Sequence, residues 1–328
     1  MTEVPLLLVH PGSHGVAVYA REVATAVRAV DPSIRTIEPV DLDAAADGAA
    51  VHAHFTDRLW GDSPEEAARV FVALAARRPI SVTLHDLPQA SDGERNLPRR
   101  RAAYAAVAAA ARGVVVNSQH ERALLVEERV WTGPATRIPL PVAIMSGAMP
   151  DVQPVRGDGS VGVLGYFYPG KGHDEAAQAA AAAGITRMTV LGRASDGHAA
   201  DLEAFVRRAG ALGVGVEVTG WLDDEEIARR GQAVSVPVFA HRHVSASGSL
   251  ASWIGWGRRP VAVRNRYIDE MAELRPGTLR TVDELDLAPA LRAALDRPES
   301  TWHGLTQLPM SWPEVAESYV RWWEGLNR

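Results

Sequence analysis

The sequence predicts an α/β protein in which two parallel sheets, each flanked by helices, follow one another along the chain. Three observations predict it. Short, continuously apolar runs recur along the chain, as strands buried on both faces of a parallel sheet require. Alanine-rich stretches of helical character separate most of them. Each half also opens on the same succession of strand, glycine-bearing loop and helix.

In order, the first strand is expected at 5–9 (Pro-Leu-Leu-Leu-Val), followed by the loop His10-Pro11-Gly12-Ser13-His14-Gly15 and a helix from Val16 to Val30. Further strands fit 34–40, 50–55, 79–84, 113–117 and 135–140, with helices at 63–77, 96–111 and 119–128. The pattern lapses from Pro141 to Gly159, where prolines and glycines punctuate a stretch without periodicity, and this reads as a linker. It restarts with a strand at 160–164, the loop 165–172 and a helix at 174–183. Strands at 187–191, 214–219, 234–239 and 260–263 follow, with helices at 199–212, 223–231 and 249–256. The expected domains are therefore 1–145, 160–308 and a closing helical segment at 309–328. Open sheets of this kind bind ligands beyond the carboxyl ends of their strands. Two of them facing across a hinge would form a cleft lined by loops from both.

Composition narrows the function. At 328 residues the chain is long enough for two domains of roughly 100–200 residues. It is 47% hydrophobic and 23% charged, as soluble globular proteins are. A formal charge of −6, with no basic run longer than Arg99-Arg100-Arg101, argues against a nucleic-acid partner. The absence of cysteine excludes disulfide scaffolds, thiolate metal sites and cysteine nucleophiles. The opening residues are too short and too acidic for a signal peptide, and no run approaches the ~18 apolar residues of a membrane span. A cytoplasmic protein is expected; contact with a membrane surface stays open without a feature to support it.

The loop Gly165-Tyr166-Phe167-Tyr168-Pro169-Gly170-Lys171-Gly172 is the most informative segment. Its glycines let backbone approach a ligand, and the following helix offers unpaired N–H groups and a positive dipole end to an anion. Lys171 adds a compact charge suited to phosphate oxygens. The bland alternative is a solvated lysine in a strand-to-helix turn. Gly172 stands where a P-loop has Ser or Thr, so an ATPase reading is weak. In the first half, His85 ends an apolar strand, where a polar ring belongs to a ligand cleft or else bonds its neighbouring loop. Asp86 either orients that ring or caps the turn before Pro88.

These segments resemble retaining glycosyltransferases of the GT-B type, two Rossmann-like domains facing across a cleft (the glycogen synthase and mannosyltransferase clan). The 165–172 loop resembles the one that opens their C-terminal domain. Val190-Leu191-Gly192, the Val216–Ile227 segment, Gly257–Val263 and Ser311–Tyr319 resemble later motifs in the same order. In the first half Gly15–Ala20, Val82–Pro88 and Val116-Asn117-Ser118 resemble theirs. The resemblance implies a hexosyl transfer from a nucleotide-diphosphate sugar of GDP-mannose or UDP-glucose type to a saccharide, lipid or small-molecule acceptor, with retention. It implies Lys171 on the donor diphosphate with Gly15, Gly165 and Gly172, and His85 with Asp86 at the sugar. No cofactor beyond the donor and no metal are expected. The triplet Asp41-Leu42-Asp43 matches a metal-binding pattern that occurs often by chance, and it is set aside.

The chain departs from the family where a pair of glutamates eight positions apart is usual. Val244-Ser245-Ala246-Ser247-Gly248-Ser249-Leu250 stands there instead, resembling a Ser-Gly variant of the clan. Ser247, Gly248, Ser249 and Leu250 could still offer hydroxyls and N–H groups to a phosphate or sugar; Ser247 or Ser249 could equally be an ordinary helix cap. Tyr166 replaces a usual arginine, and Arg242 is a candidate for the missing charge. On the acceptor side stand His14, Asp57 and Trp60, the tryptophan either a stacking platform or a core residue. Arg95 and Arg99–Arg101 would attract an acidic or phosphorylated acceptor or anionic lipid, or, more commonly, form a solvated helix face. Trp302, Trp312, Trp322 and Trp323 are expected to pack the core and the domain junction. Two other functions share these features: a non-catalytic nucleotide-sugar-binding partner subunit and a sugar-nucleotide epimerase.

Overall fold

The computed structural model describes residues 5–44, 48–145 and 157–326, so most of the interruption expected at 141–159 lies outside the described residues. The chain divides into two compact units, Met1–Pro141 with Met310–Arg328, and Val142–Pro309.

The first unit runs β1 (Leu6–Leu8), α1 (Gly15–Val30), β2 (Thr36–Ile37), β3 (Val51–Phe55), α2 (Asp57–Trp60), α3 (Pro64–Ala75), β4 (Ile80–Leu84), α4 (Gly93–Ala110), β5 (Val114–Val116), α5 (Gln119–Glu127) and β6 (Thr136–Arg137). Its sheet has the order β2-β1-β3-β4-β5-β6, parallel throughout. The second unit runs β7 (Val161–Leu164), α6 (His173–Ala182), β8 (Arg187–Leu191), α7 (Ala199–Ala211), β9 (Gly215–Val218), α8 (Asp224–Ala233), β10 (Val236–Phe239), α9 (Gly248–Gly255), β11 (Val261–Val263), α10 (Arg266–Leu274), β12 (Arg280–Val282) and α11 (Leu287–Asp296). Its sheet, also parallel, has the order β12-β11-β10-β7-β8-β9. The last helix, α12 (Trp312–Leu326), belongs to the first unit.

Local chemistry starts the helices where the sequence turns polar. Ser63, Ser118, Asp223, Ser247 and Asn265 each accept a backbone N–H of the first turn with their side chains. Three elements go beyond those expected from the sequence. β12 is half-buried at the sheet edge, and its residues Arg280, Thr281 and Val282 make no apolar run. α10 buries only Tyr267, Ile268 and Met271 among charged neighbours. α11 covers the sheet with Leu287, Ala290, Leu291 and Ala294, an i, i+3, i+4, i+7 spacing that does mark a helix in the sequence.

The first sheet is apolar on one face and mixed on the other. Val51, Ala53, Phe55, Val82, Leu84, Val114 and Val116 pack beneath α3 and α4. The opposite face carries Leu7, Val9 and Val115 against Val23, Val27, Tyr319 and Trp323 of α1 and α12. On that face the middle of the sheet is polar, because the two-residue period sends His52, His54, Ser81 and Thr83 to the same side. No helix among the described residues is long and apolar enough to cross a membrane.

Candidate active site

In the second unit, the loops that follow β7 and β10 meet because these strands are neighbours in the sheet. The β7 loop leads into α6 through Gly172, whose φ of +89° is the left-handed region. A Cβ there would lie 2.4 Å from the carbonyl carbon and oxygen of Ala240, so only glycine lets this loop close on the β10 loop. Arg242 N–H donates to the Gly170 carbonyl at 3.1 Å, a second tie between the two loops. A Gly172→Ala substitution is expected to cost at least about 1–3 kcal/mol in backbone strain alone, read as a lower urea midpoint. An unchanged midpoint would show that the two loops separate without penalty.

This closure places Lys171 beside the serine turn. Its ammonium donates to Ser249 Oγ at 3.4 Å, and a Cβ on Gly165 would sit 3.2 Å from Nζ. Gly165 thus leaves the approach to the ammonium clear. Ser247 caps α9, its Oγ accepting from Leu250 N–H at 3.3 Å and meeting Ser249 Oγ at 3.0 Å, while its own N–H donates to the Tyr267 hydroxyl. Leu250 is buried and anchors the helix; Gly248, in its first turn, is exposed with open space beside it. Two buried histidines flank the lysine. Burial, with a smaller contribution from Lys171, pushes His173 down to about 3 and His241 well below its ordinary value, so both are neutral near pH 7.

Arg242, the proposed replacement charge, is exposed and paired with Glu175, whose carboxylate cancels it. Next to the glycine loop a different arginine appears: Arg193 lies over the Tyr166 ring, 5.1 Å from its centre. The loops carrying them are joined by backbone bonds, Phe167 N–H to Arg193 O and Ser195 N–H to Phe167 O.

In the first unit, His85 stands immediately beyond β4. Its backbone is held at both ends, N–H to Phe55 O at 2.8 Å and carbonyl accepting from Tyr104 Oη at 2.8 Å. Its ring Nε2 lies 3.0 Å from His54 Nδ1. Burial lowers the His85 pKa to about 4, with the Asp86 charge opposing this and His14 adding to it. The ring is a neutral hydrogen-bonding group near pH 7. Asp86, exposed and at φ 49°, accepts from Thr56 Oγ1 at 3.1 Å, and the ring bond of His85 goes to His54 instead. His14 caps α1, Nδ1 accepting from Val16 N–H at 3.2 Å, and Gly15 has open space beside it.

Two residues placed on the acceptor side are buried. Trp60 is not an exposed platform: α2 folds straight back after β3, so the indole is buried against Phe55 and Phe71 and donates Nε1–H to His54 O at 2.9 Å. Asp57 is buried and paired with Arg100 at 2.9 Å, which satisfies both charges. The basic run is similarly engaged. Arg99 pairs with Glu65, Arg100 also with Asp92, and Arg101 with Glu128. Of the tryptophans, Trp323 is buried in the first unit, Trp312 lies against Tyr19, and Trp302 stacks beneath Arg258. Asp41 begins a triplet on a short 3-10 turn, Pro39–Ala44. Among the described residues no three His, Asp or Glu side chains are grouped to hold a metal.

No protein-family model and no curated protein matches the chain. Its architecture does match solved structures over nearly full length. Sucrose-phosphate synthase from Thermosynechococcus elongatus superposes with a TM-score of 0.67 at 18% identity, covering 98% of this chain and 96% of the other. HepE from Anabaena, solved with UDP and glucose, gives 0.66 at 15% identity over 99% and 97%. An α,α-trehalose-phosphate synthase from Burkholderia xenovorans, described as UDP-forming, gives 0.54 at 15% over 95% and 75%. The fold is GT-B.

Within this GT-B chain, sequence reasoning passed over the buried histidines of β3. His52 bonds Ser81 Oγ at 3.0 Å and Thr83 Oγ1 at 3.1 Å, and Thr83 Oγ1 meets Tyr319 Oη of α12 at 3.0 Å. The signal was present in the alternation Val51-His52-Ala53-His54-Phe55 beside Ser81-Val82-Thr83-Leu84-His85. At strand period, these residues share one face.

Proposed function

We propose that the protein is a glycosyltransferase that moves a hexose, with retention, from a nucleotide diphosphate of UDP-glucose or GDP-mannose type to a hydroxyl of a saccharide, lipid or small-molecule acceptor. One observation carries this reading: an ammonium, Lys171, gathered with Gly165 and Ser249 beside the N-terminal ends of α6 and α9 in a GT-B fold. As the bond from the anomeric carbon to the diphosphate breaks, negative charge grows on the leaving group. A fixed ammonium and helix N–H groups stabilise that charge without reorganising. The flanking histidines are neutral, so Lys171 supplies the charge at that point. In the first unit His85, neutral as well, is suited to hold a sugar or acceptor hydroxyl, with His14 and Asp86 near it. The solved complex of HepE with UDP-glucose supports a uridine donor by likeness of fold.

The serines that replace the usual glutamates favour a second reading, a nucleotide-sugar-binding subunit without turnover. One experiment separates the two. Thermal shift across UDP, GDP, ADP and dTDP and their hexoses identifies the nucleotide, since a ligand of the native state raises the midpoint. Release of that nucleotide diphosphate is then followed with a panel of acceptors, with and without excess chelator. Acceptor-dependent release is expected. Binding without release against every acceptor class would favour the subunit, and no binding at all would sink both.

A further inference from the structure

We propose that His54 is a positioning residue for His85: its Nδ1 holds the Nε2 edge of the His85 ring and leaves Nδ1 of His85 as the nitrogen a sugar hydroxyl meets. The inference rests on the reading that His85 contacts sugar or acceptor, and adds the device that orients it.

The register makes the contact. His52 pairs with Ser81 and His54 with Thr83 across β3 and β4, so the next residue on that face of the β4 strand is His85. Each histidine of β3 reaches one step further along β4. His52 spans Ser81 and Thr83, and His54 reaches His85 at 3.0 Å. The two rings lie nearly parallel, 28° apart with centroids at 5.3 Å, and Tyr19 of α1 presents its ring edge-on to both, at 5.3 and 5.5 Å. The His85 backbone is pinned by Phe55 O and Tyr104 Oη, so what remains to be set is the side-chain rotation and the proton position. His54 sets both. It is itself fixed, with its carbonyl bonded to Trp60 and its ring met edge-on by His52 at 5.2 Å, and His52 is tied down by two hydroxyls.

Both rings are kept neutral by burial, His54 well below its ordinary value and His85 near 4. A hydrogen bond between two neutral imidazoles contains one proton, so the tautomers are coupled. If His54 donates, His85 carries its proton on Nδ1; if His85 donates, its Nδ1 is a bare acceptor. Either way the proton position on His85 is linked to that on His54, and loss of the bond unlinks them.

The test reads the tautomer directly, by long-range ¹H–¹⁵N correlation on histidine-labelled protein near pH 7.5, alongside transfer kinetics. The parent is expected to show one His85 tautomer. His54→Asn, whose amide reaches the Nδ1 position, should keep it. His54→Phe, which keeps the ring and loses the bond, should give shifted or averaged His85 ring nitrogens and a kcat lowered up to about 100-fold with KM little changed. If the Phe variant does not fold, His54→Gln moves the amide off the Nδ1 position and serves the same purpose. Unchanged His85 ring nitrogens in the folded variant would overturn the proposal and leave His54 a packing residue. A His85→Ala variant with the parent's turnover would instead remove His85 from the reaction, leaving the tautomer result standing.

Discussion

Replacing Lys171 by alanine is expected to lower kcat/KM for the best donor about 10- to 150-fold. The range follows from a charge-assisted hydrogen bond of ~1.5–3 kcal/mol, at about 1.4 kcal/mol per tenfold. The structure gives reasons to place the loss here. Lys171 is 8% exposed, so its ammonium is already drawn out of bulk water and its field is weakly screened. His173 and His241 beside it are neutral, and the nearby Arg242 is matched by Glu175. If the charge acts chiefly on the departing diphosphate, kcat falls; if it acts equally on the bound donor, KM rises. Lys171→Arg should recover only part of the loss. The guanidinium is larger than the ammonium and must fit beside Ser249. Transfer kinetics with the donor found by thermal shift make the measurement. An alanine variant within about twofold of the parent, binding nucleotide normally, would move the donor site elsewhere.

The parts of this site that were legible in the sequence are those written within one loop. Glycine spacing around Lys171 and the Ser-Gly-Ser turn mark strand-to-helix loops, and parallel sheets deliver such loops to one edge. Their meeting was not legible, because it depends on β10 lying beside β7, a crossover that places residues 171 and 249 together. The same limit explains Asp57 and Arg100, partners 43 positions apart, and Trp60, whose burial follows from a four-residue helix too short to leave a periodic signal. Buried strands such as β1, β5, β7 and β10 were legible because continuous apolar runs mark them. β12 and α10 were not, one lying half-buried at an edge and the other buried along only a narrow stripe. His52 and His54 were overlooked for the opposite reason: on an apolar strand, polar residues at alternate positions read as exceptions, whereas here they form a buried ladder.

That ladder makes the first unit sensitive to acid. Burial pushes His52 down to about 3 and His85 to about 4, and holds His54 well below its ordinary value. Each has a folded pKa below the unfolded value of ~6.5, so between those limits the unfolded chain binds more protons than the folded one. Stability from these groups is therefore fully present above ~6.5 and is lost as pH falls toward the folded values. The loss is about 1.4 kcal/mol per pH unit for each histidine that stays neutral in the fold, so three together remove on the order of 4 kcal/mol between pH 6 and pH 5. Domains are commonly stable by only about 5–15 kcal/mol, so such a loss is large. The urea midpoint, followed by tryptophan fluorescence, should fall steeply over this interval. His52→Gln, which keeps an amide near Thr83 and cannot titrate, is expected to be less stable at pH 7 but to show a shallower fall, by about one proton. An equal slope in parent and variant would mean that His52 is protonated within the folded sheet, and that the hydroxyls of Ser81 and Thr83 accommodate its charge.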